Sequence, residues 1–453
     1  MSDLAVVICN YNKKDFVLDC IDSFLQSDDD NYHIFVVDNA STDGSAEAIT
    51  EKYGDKLTLL INEVNTGGSG GFGRGMQEVA DKGSYKYLIL VDNDVTVEKN
   101  TVSELRSYMD ANPDVGVCGA AIFQMDNPEI TQEMGACISI EEFINKRLYY
   151  QARLFELPDV VECDYVPFAT AIIRVDAMMK VGIIESEYFI YWDDMEFCWR
   201  IRNGGYKVHA ISSAIVQHYM NSPKYETTFS EYYFFRNKVN CFARHTSDEQ
   251  FALLPEIITR RIYRTMLCNK DNPAIASTYM YALNDALGGV TGKARDNRIL
   301  NLPIHKKWHD AVIGKTNILI EYSPSFTWLD RLLESLRTLS EARVTIASHG
   351  ASMDNFSLGN AVIIKENSQN IQYDLVIICC YHVLDFPYES ISFAPGQTVI
   401  IDNYENTASD QADLQVYKYQ EENYGVFRAM LYTYVKDNLG IIRENYQREK
   451  EKI

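Results

Sequence analysis

At 453 residues the chain is too long for one ordinary core, so two or three domains are expected, and 46% hydrophobic with 23% charged residues is a globular composition. The 64 acids against 42 bases give a net charge of −22, which argues against a general nucleic-acid binder, since that would need a basic footprint. An anionic nucleotide can still be held locally, through a metal or backbone amides.

Ten cysteines include no CxxC pair, and Cys379 and Cys380 lie in an apolar, strand-like run. Reduced, buried thiols of a cytosolic protein are expected, not a disulfide framework or zinc site. "MSDLAVVICNYNKKDF" has no basic region ahead of its apolar run, so it does not read as a secretion signal. No run approaches the ~18 apolar residues that span a bilayer. The expectation is a cytoplasmic protein, soluble or attached to the cytoplasmic face of a membrane only at its surface.

"LAVVICN" (4–10) reads as a buried strand, and residues 14–27 carry apolar side chains at helical spacing. "HIFVVDN" (33–39), "KLTLLIN" (56–62) and "YKYLILV" (85–91) are further strands, with helix-capping types in "STDGSAEAIT" between the first two. This alternation predicts an α/β domain, a mostly parallel sheet with helices on both faces. Ligands of such sheets bind beyond the strands' carboxyl ends, where Asn10, Asp38, Asn39, Asp92 and Asp94 all fall. After residue 113 the pattern is mixed. Residues 230–300 have helical spacing, and a second, smaller α/β block begins near 315. The domains predicted are 1–228, a helical segment 229–312, and 313–453.

"NTGGSGGFGRGM" (65–76) formally matches a dinucleotide fingerprint, but it follows the third strand, not the first. It reads as a glycine-rich turn where backbone passes close to something. In a sugar-nucleotide site the glycines would let the chain approach the ligand, and Arg74 would open a helix toward a phosphate.

Three clusters carry chemistry. Asp92 and Asp94 in "VDND" can face one hard divalent cation, Mn²⁺ or Mg²⁺, which would also grip a diphosphate; otherwise they are surface turn aspartates. In "YWDDMEFCWR", Asp193, Asp194 and Glu196 stand among aromatics, either as a helix start or as a pocket where a carboxylate can act as a base. His218 in "IVQHYMNSPKY" is a structural histidine or a third metal ligand.

In order and spacing, "VVICNYN", "VVDNASTDGS", DND, "WDDMEFCWRIRNGGY" and His218 resemble family 2 glycosyltransferases of the GT-A fold, over roughly residues 3–245. The glycine run with "WDDMEFCWR" looks most like the bacterial galactofuranosyltransferases; related rhamnosyltransferases carry similar runs. The resemblance implies that Asp38 binds the nucleoside, with Asn10, Asn39, Arg74, Asp92 and Asn93 on the nucleotide side. It implies that Asp94 ligates the metal directly, that Asp92 lies nearer the ribose and metal, and that His218 completes the metal site. It makes Asp194 the catalytic base, and it puts Trp192 and Asp193 at the acceptor. Some relatives have three aspartates where this chain has DND; Asn93 is not a charged ligand, but the outer acids remain.

The function expected is a metal-dependent, inverting transfer of a sugar, galactofuranose from UDP-galactofuranose first, to a glycan or lipid-linked acceptor of bacterial surface polysaccharide, such as capsule or cell wall. The alternatives are a rhamnosyl- or other hexosyltransferase using a dTDP- or UDP-sugar, or a non-catalytic carbohydrate-binding protein, which would be expected to have lost the base or the metal ligands. A dehydrogenase is the weakest reading. Residues 256–309 hold nine bases against four acids. They form an ordinary solvated helical face, or a surface meeting anionic lipid or a lipid-linked diphosphate at the inner leaflet. In the C-terminal block, "SHGAS" (348–352) and "IIDNYENTASD" (400–410) are polar strand-end loops where a second ligand could bind, but packing or homo-oligomer formation is the expected role.

Overall fold

The computed structural model describes residues 3–219, 226–303, 306–353, 360–365, 372–383 and 396–450; residues 220–225 of the His218 motif lie outside these. The first half runs β1 (Leu4–Asn10), α1 (Lys14–Leu25), β2 (Tyr32–Asp38), α2 (Ser45–Tyr53), β3 (Thr58–Ile61), α3 (Gly67–Lys82) and β4 (Tyr87–Asp92). β1 pairs in parallel with β2 and β4, and β2 with β3. Leu4, Val6 and Ile8 share one core with Val17, Ile21 and Phe24 of α1, while Ala5 and Val7 share another with Met76 and Val79 of α3. Burial on both faces is why these strands read as unbroken apolar runs.

α3 corrects one expectation. The glycine-rich stretch is the start of a helix, not a turn, and it places six glycines there. Glycine inside a helix costs roughly 0.5–1 kcal/mol relative to alanine. Close packing explains the choice. A Cβ on Gly75 would stand 2.3 Å from Val7 Cγ1, and one on Gly71 2.2 Å from Cys9 Sγ. The helix therefore lies nearer β1 than side-chain-bearing residues would allow.

The chain continues with β5 (Val95–Val97), α4 (Thr101–Ala111), β6 (Val115–Gln124), β7 (Asn127–Glu133), the β8–β9 hairpin (Ala136–Ser139, Ile144–Arg147), β10 (Val160–Glu162), β11 (Thr170–Arg174), α5 (Val175–Val181), α6 (Asp193–Asn203) and β12 (Lys207–His218). The sheet order is β10-β12-β6-β11-β4-β1-β2-β3, with β5 on β12 and β7 on β6. β11 enters antiparallel between β4 and β6, so the sheet is mixed beyond β4.

Helices α7 (Phe229–His245), α8 (Asp248–Cys268) and α9 (Pro273–Leu287) form the expected helical segment. After α10 (Lys307–Val312) come β13 (Asn317–Glu321), α11 (Leu329–Leu339), β14 (Arg343–Ala347), β15 (Val362–Ile364), β16 (Leu375–Cys380), β17 (Thr398–Asp402) and β18 (Thr407–Ala408), a second sheet in the order β15-β14-β13-β16-β17-β18. Its pairs are parallel except β17–β18. The last helices, α12 (Gln411–Asn423) and α13 (Gly425–Lys450), revise the expected third domain. α13 returns to pack on α7, α8 and α9, burying Leu431, Val435, Leu439 and Ile442 in the first domain's core. Among the described residues no cysteine is in a disulfide, and eight of the ten are buried. Among the described residues, no helix is long and apolar enough to cross a membrane.

Candidate active site

Parallel pairing brings the carboxyl ends of β1, β2 and β4 to one edge, with Asn10 opposite Asp38 and Cys9 opposite Asp92. There the Asn10 amide donates to Asp38 (3.0 Å) and Ser41 Oγ (3.3 Å), and the Asn93 amide donates to Asn10 Oδ1 (2.8 Å). The Ser41 backbone N–H donates to the other Asp38 oxygen (2.9 Å). The sheet edge thus presents a buried polar cluster joined by short hydrogen bonds.

β12 brings the histidine. It pairs antiparallel with β5, setting His218 opposite Val95, next to Asp94. His218 Nε2 lies 3.2 Å from one Asp94 oxygen, and the Lys13 ammonium is bonded to the other. One ligating atom from each of Asp92, Asp94 and His218 lies within 4.8 Å of the others. Burial, and then the charge of Asp94, pushes the Asp92 carboxyl up to about 7. Burial would raise Asp94 too, but His218 and Lys13 outweigh it and hold Asp94 at about 2. His218 is raised above its ordinary value because its bond to Asp94 and the two acid charges outweigh burial. Opposed shifts in neighbouring groups are a mark of functional sites.

Lys13 answers what balances two carboxylates at the tip of a buried strand: a cation already sits there. Two carboxylates and one imidazole are a hard, oxygen-rich donor set that suits Mn²⁺ or Mg²⁺. His218 Nδ1 is engaged by Gln132 Oε1 at 2.7 Å, which leaves Nε2 as the ligating atom.

Asp193 and Asp194 open α6 after a loop that the sequence does not foretell. Phe189, Tyr191 and Trp192 have φ of 65°, 64° and 70°, a left-handed region that costs non-glycine residues of order 1–3 kcal/mol each. The loop is clamped from two sides. The buried Asn237 amide of α7 reaches the carbonyls of Tyr188, Ile190 and Tyr191 at 2.8–2.9 Å, and the Ser69 N–H of α3 donates to the Phe189 carbonyl at 3.2 Å. Gly67 admits that carbonyl, since a Cβ there would meet it at 1.9 Å.

Burial raises Asp193 to about 6. Asp194 is pushed well above the usual carboxylate range by burial, then by the charges of Asp193, Glu133 and Asp92. The charge of Asp92, one member of the metal-type cluster, thus acts on a carboxyl of enhanced basicity. Glu133, itself raised to about 7 by burial, was not foreseen; nor were Lys13 and Gln132. Lys13 sits in the quoted loop after β1, but nothing local in the sequence marks Gln132 or Glu133, which reach the site through the β6–β7 pairing.

Three expected site residues are used differently. Asn39 is buried and saturated: its oxygen accepts from Asn62, Thr66 N and Thr66 Oγ1, and its amide donates to Asn65 and Gly67. Its side chain holds the approach to α3 and has no polar atom left for a nucleotide. Arg74 does not open α3. It sits in the middle of the helix, its guanidinium donating to the Ile61 carbonyl and to Asn62 at the end of β3. Trp192 is fully buried against Phe234 and Phe242, so it presents no surface to an acceptor. Glu196, read with the acids of the pocket, is a core ion-pair partner of Arg200 and His245.

Residues 5–178 match the family model Glycosyl transferase family 2. The chain is 20% identical over 304 residues to the low-salt glycan biosynthesis hexosyltransferase Agl10 of Haloferax volcanii, covering 65% of this chain and 94% of that one. It is 22% identical over 263 residues to the galactofuranosyltransferase GlfT2 of Mycolicibacterium smegmatis, covering 54% of this chain but only 40% of that one. Among solved structures, S. aureus TarS 1-349 in complex with UDP-GlcNAc aligns over 64% of this chain and 82% of its own at 17% identity, with a TM-score of 0.44.

Proposed function

Starting from the match of residues 5–178 to glycosyltransferase family 2, we propose that the chain transfers a hexose from a nucleoside-diphosphate donor to an acceptor hydroxyl with inversion, in a divalent-metal-dependent reaction. The observation that carries this reading is the convergence of Asp92, Asp94 and His218; the charge of Asp92 also acts on the buried Asp194 carboxyl. The nucleoside lies along Asn10, Asp38 and Asn93, and Asp193 meets the acceptor. Mn²⁺ or Mg²⁺ held by Asp94, His218 and Asp92 would neutralise charge growing on the departing diphosphate. Asp194 takes the acceptor's proton as the acceptor oxygen bonds to the anomeric carbon and the bond to the diphosphate breaks. A single displacement needs only this one base.

Galactofuranose from UDP-galactofuranose is the preferred sugar, supported by the glycine run, "WDDMEFCWR" and the similarity to the Mycolicibacterium protein. The near-full coverage of the Haloferax hexosyltransferase supports a second reading, another hexose from another nucleotide. The acceptor is a surface glycan or a lipid-linked saccharide, met at the cytoplasmic face of the membrane.

A panel of sugar nucleotides with Mn²⁺, scored by nucleoside diphosphate release and donor-induced thermal shift, tests the proposal. UDP-galactofuranose is expected to give the largest response. Silence across the whole panel, with and without Mn²⁺, overturns it.

A further inference from the structure

A cavity of about 300 Å³ lies between the helical layer and the second sheet. Its walls carry Arg261 and Arg264 of α8, Lys306, and Arg331 of α11, against Glu231 of α7 and Glu405 beyond β17. Glu405 is taken: Lys306 Nζ lies 2.5 Å from one of its oxygens and Arg331 3.9 Å from the other. Among the described residues, no carboxylate lies within ion-pair distance of Arg261 or Arg264. The Arg261 Nε is buried without a hydrogen-bond partner, and Arg264 meets uncharged groups, the Tyr381 hydroxyl at 3.4 Å, the Tyr381 ring and the Cys268 thiol. Burial of Glu231 raises its carboxyl, which lessens the one remaining negative charge. Four cations facing two acids stand out in a chain of net charge −22.

Position supports a ligand. The second sheet runs β15-β14-β13-β16-β17 in parallel, and such sheets take ligands beyond their carboxyl ends. Asn403, Tyr404 and Glu405, which follow the end of β17, line the cavity. Arg261 and Arg264 are three residues apart on α8 and so share a face. Two planar guanidinium forks one turn apart fit the oxygens of neighbouring phosphates better than a single carboxylate. Much of the basic excess in 256–309 is already spent elsewhere: Arg298 pairs with Asp285, Lys307 with Asp271, and Arg260 bonds the Glu141 carbonyl.

We propose that this interdomain cavity is a second ligand site, in which Arg261 and Arg264 hold a diphosphate group. It is separate from the cluster at Asp94 and independent of the transfer reaction.

Titration calorimetry with inorganic pyrophosphate in EDTA tests it, because EDTA removes any contribution from a divalent cation. Binding is expected in the unmodified protein and in Asp94→Asn, and is expected to weaken at least tenfold in both Arg261→Gln and Arg264→Gln. Arg264 is exposed, so its variant carries the test should Arg261→Gln fail to fold. Competition by UDP would assign a soluble nucleotide. Competition by phosphatidylcholine vesicles carrying a polyprenyl diphosphate would assign a lipid-linked diphosphate. Either supports the site. Absence of pyrophosphate binding, unchanged binding in Arg264→Gln, loss of binding in Asp94→Asn, or competition by neither probe overturns it. None of these results bears on the transferase site, whose own assay is nucleoside diphosphate release.

Discussion

Gln132 and His218 lie 86 residues apart, and their side chains meet at 2.7 Å between Oε1 and Nδ1. The Gln132 amide nitrogen faces Glu133 Oε1 at 3.4 Å, which orients the amide so that its oxygen points to the histidine. An amide oxygen only accepts, so His218 Nδ1 carries a hydrogen, and Nε2, which faces Asp94, is the atom left to lose its proton to a metal. Partners of this kind fix tautomer and ring orientation, and their loss typically costs about 10–100-fold in metal affinity. Gln132→Ala is therefore expected to weaken Mn²⁺ binding by about that factor, and His218→Ala to weaken it further. Mn²⁺-dependent thermal shift measures both. An unchanged shift in His218→Ala would remove the histidine from the metal site.

Asp194→Asn keeps size and burial and removes the base. General-base catalysis contributes about 10²–10⁴-fold, so transfer should fall within or beyond that range. Donor-induced thermal stabilisation should persist, because the donor side is formed by other residues. If the folded variant no longer responds to donor, the role assigned to Asp194 is wrong.

The α3 glycines supply a matched pair. Gly75→Ala puts a Cβ 2.3 Å from Val7 in a filled core, and overpacking of this kind costs about 1–3 kcal/mol. Gly68→Ala meets nothing within 4 Å, and it should be neutral or stabilise by up to about 0.5–1 kcal/mol. Urea unfolding of both variants reads the difference. Equal losses would mean that the close approach of α3 to β1 is not what selects glycine.

The core ion pair sets an acid limb. Glu196 accepts from Arg200 Nε at 2.8 and 3.0 Å, and its Oε1 lies 2.9 Å from His245 Nε2. Burial opposes ionisation, but the Arg200 and His245 charges outweigh it and hold Glu196 below its ordinary 4.5. A depressed carboxyl contributes stability that is fully present above its unfolded value and is lost as pH falls below it. Stability should therefore decline below about pH 4.5, and Glu196→Gln should flatten that part of the decline. Removing one partner of a buried pair costs about 3–5 kcal/mol, which chemical unfolding at neutral pH would show.

The sheet, its covering helices and the polar strand tips were legible because they are local in origin. Runs such as Leu4–Ile8 and Tyr87–Val91 must be buried on both faces, and the polar residue that ends each run marks the carboxyl edge. Asp92, Asp94, Asp194 and His218 were legible by order and residue type. Other features depend on pairings between distant segments. The β5–β12 register sets His218 beside Asp94, and β7 brings Gln132 and Glu133. The clamp of Asn237 on the strained 188–191 loop, the burial of Trp192 and the saturation of Asn39 are likewise tertiary. Residue type and hydrophobic pattern, which act within a few residues, fix which side chains are available for chemistry. Which polar groups remain free to act depends on the folded arrangement, because each hydrogen bond made across the fold removes one that a ligand could have used.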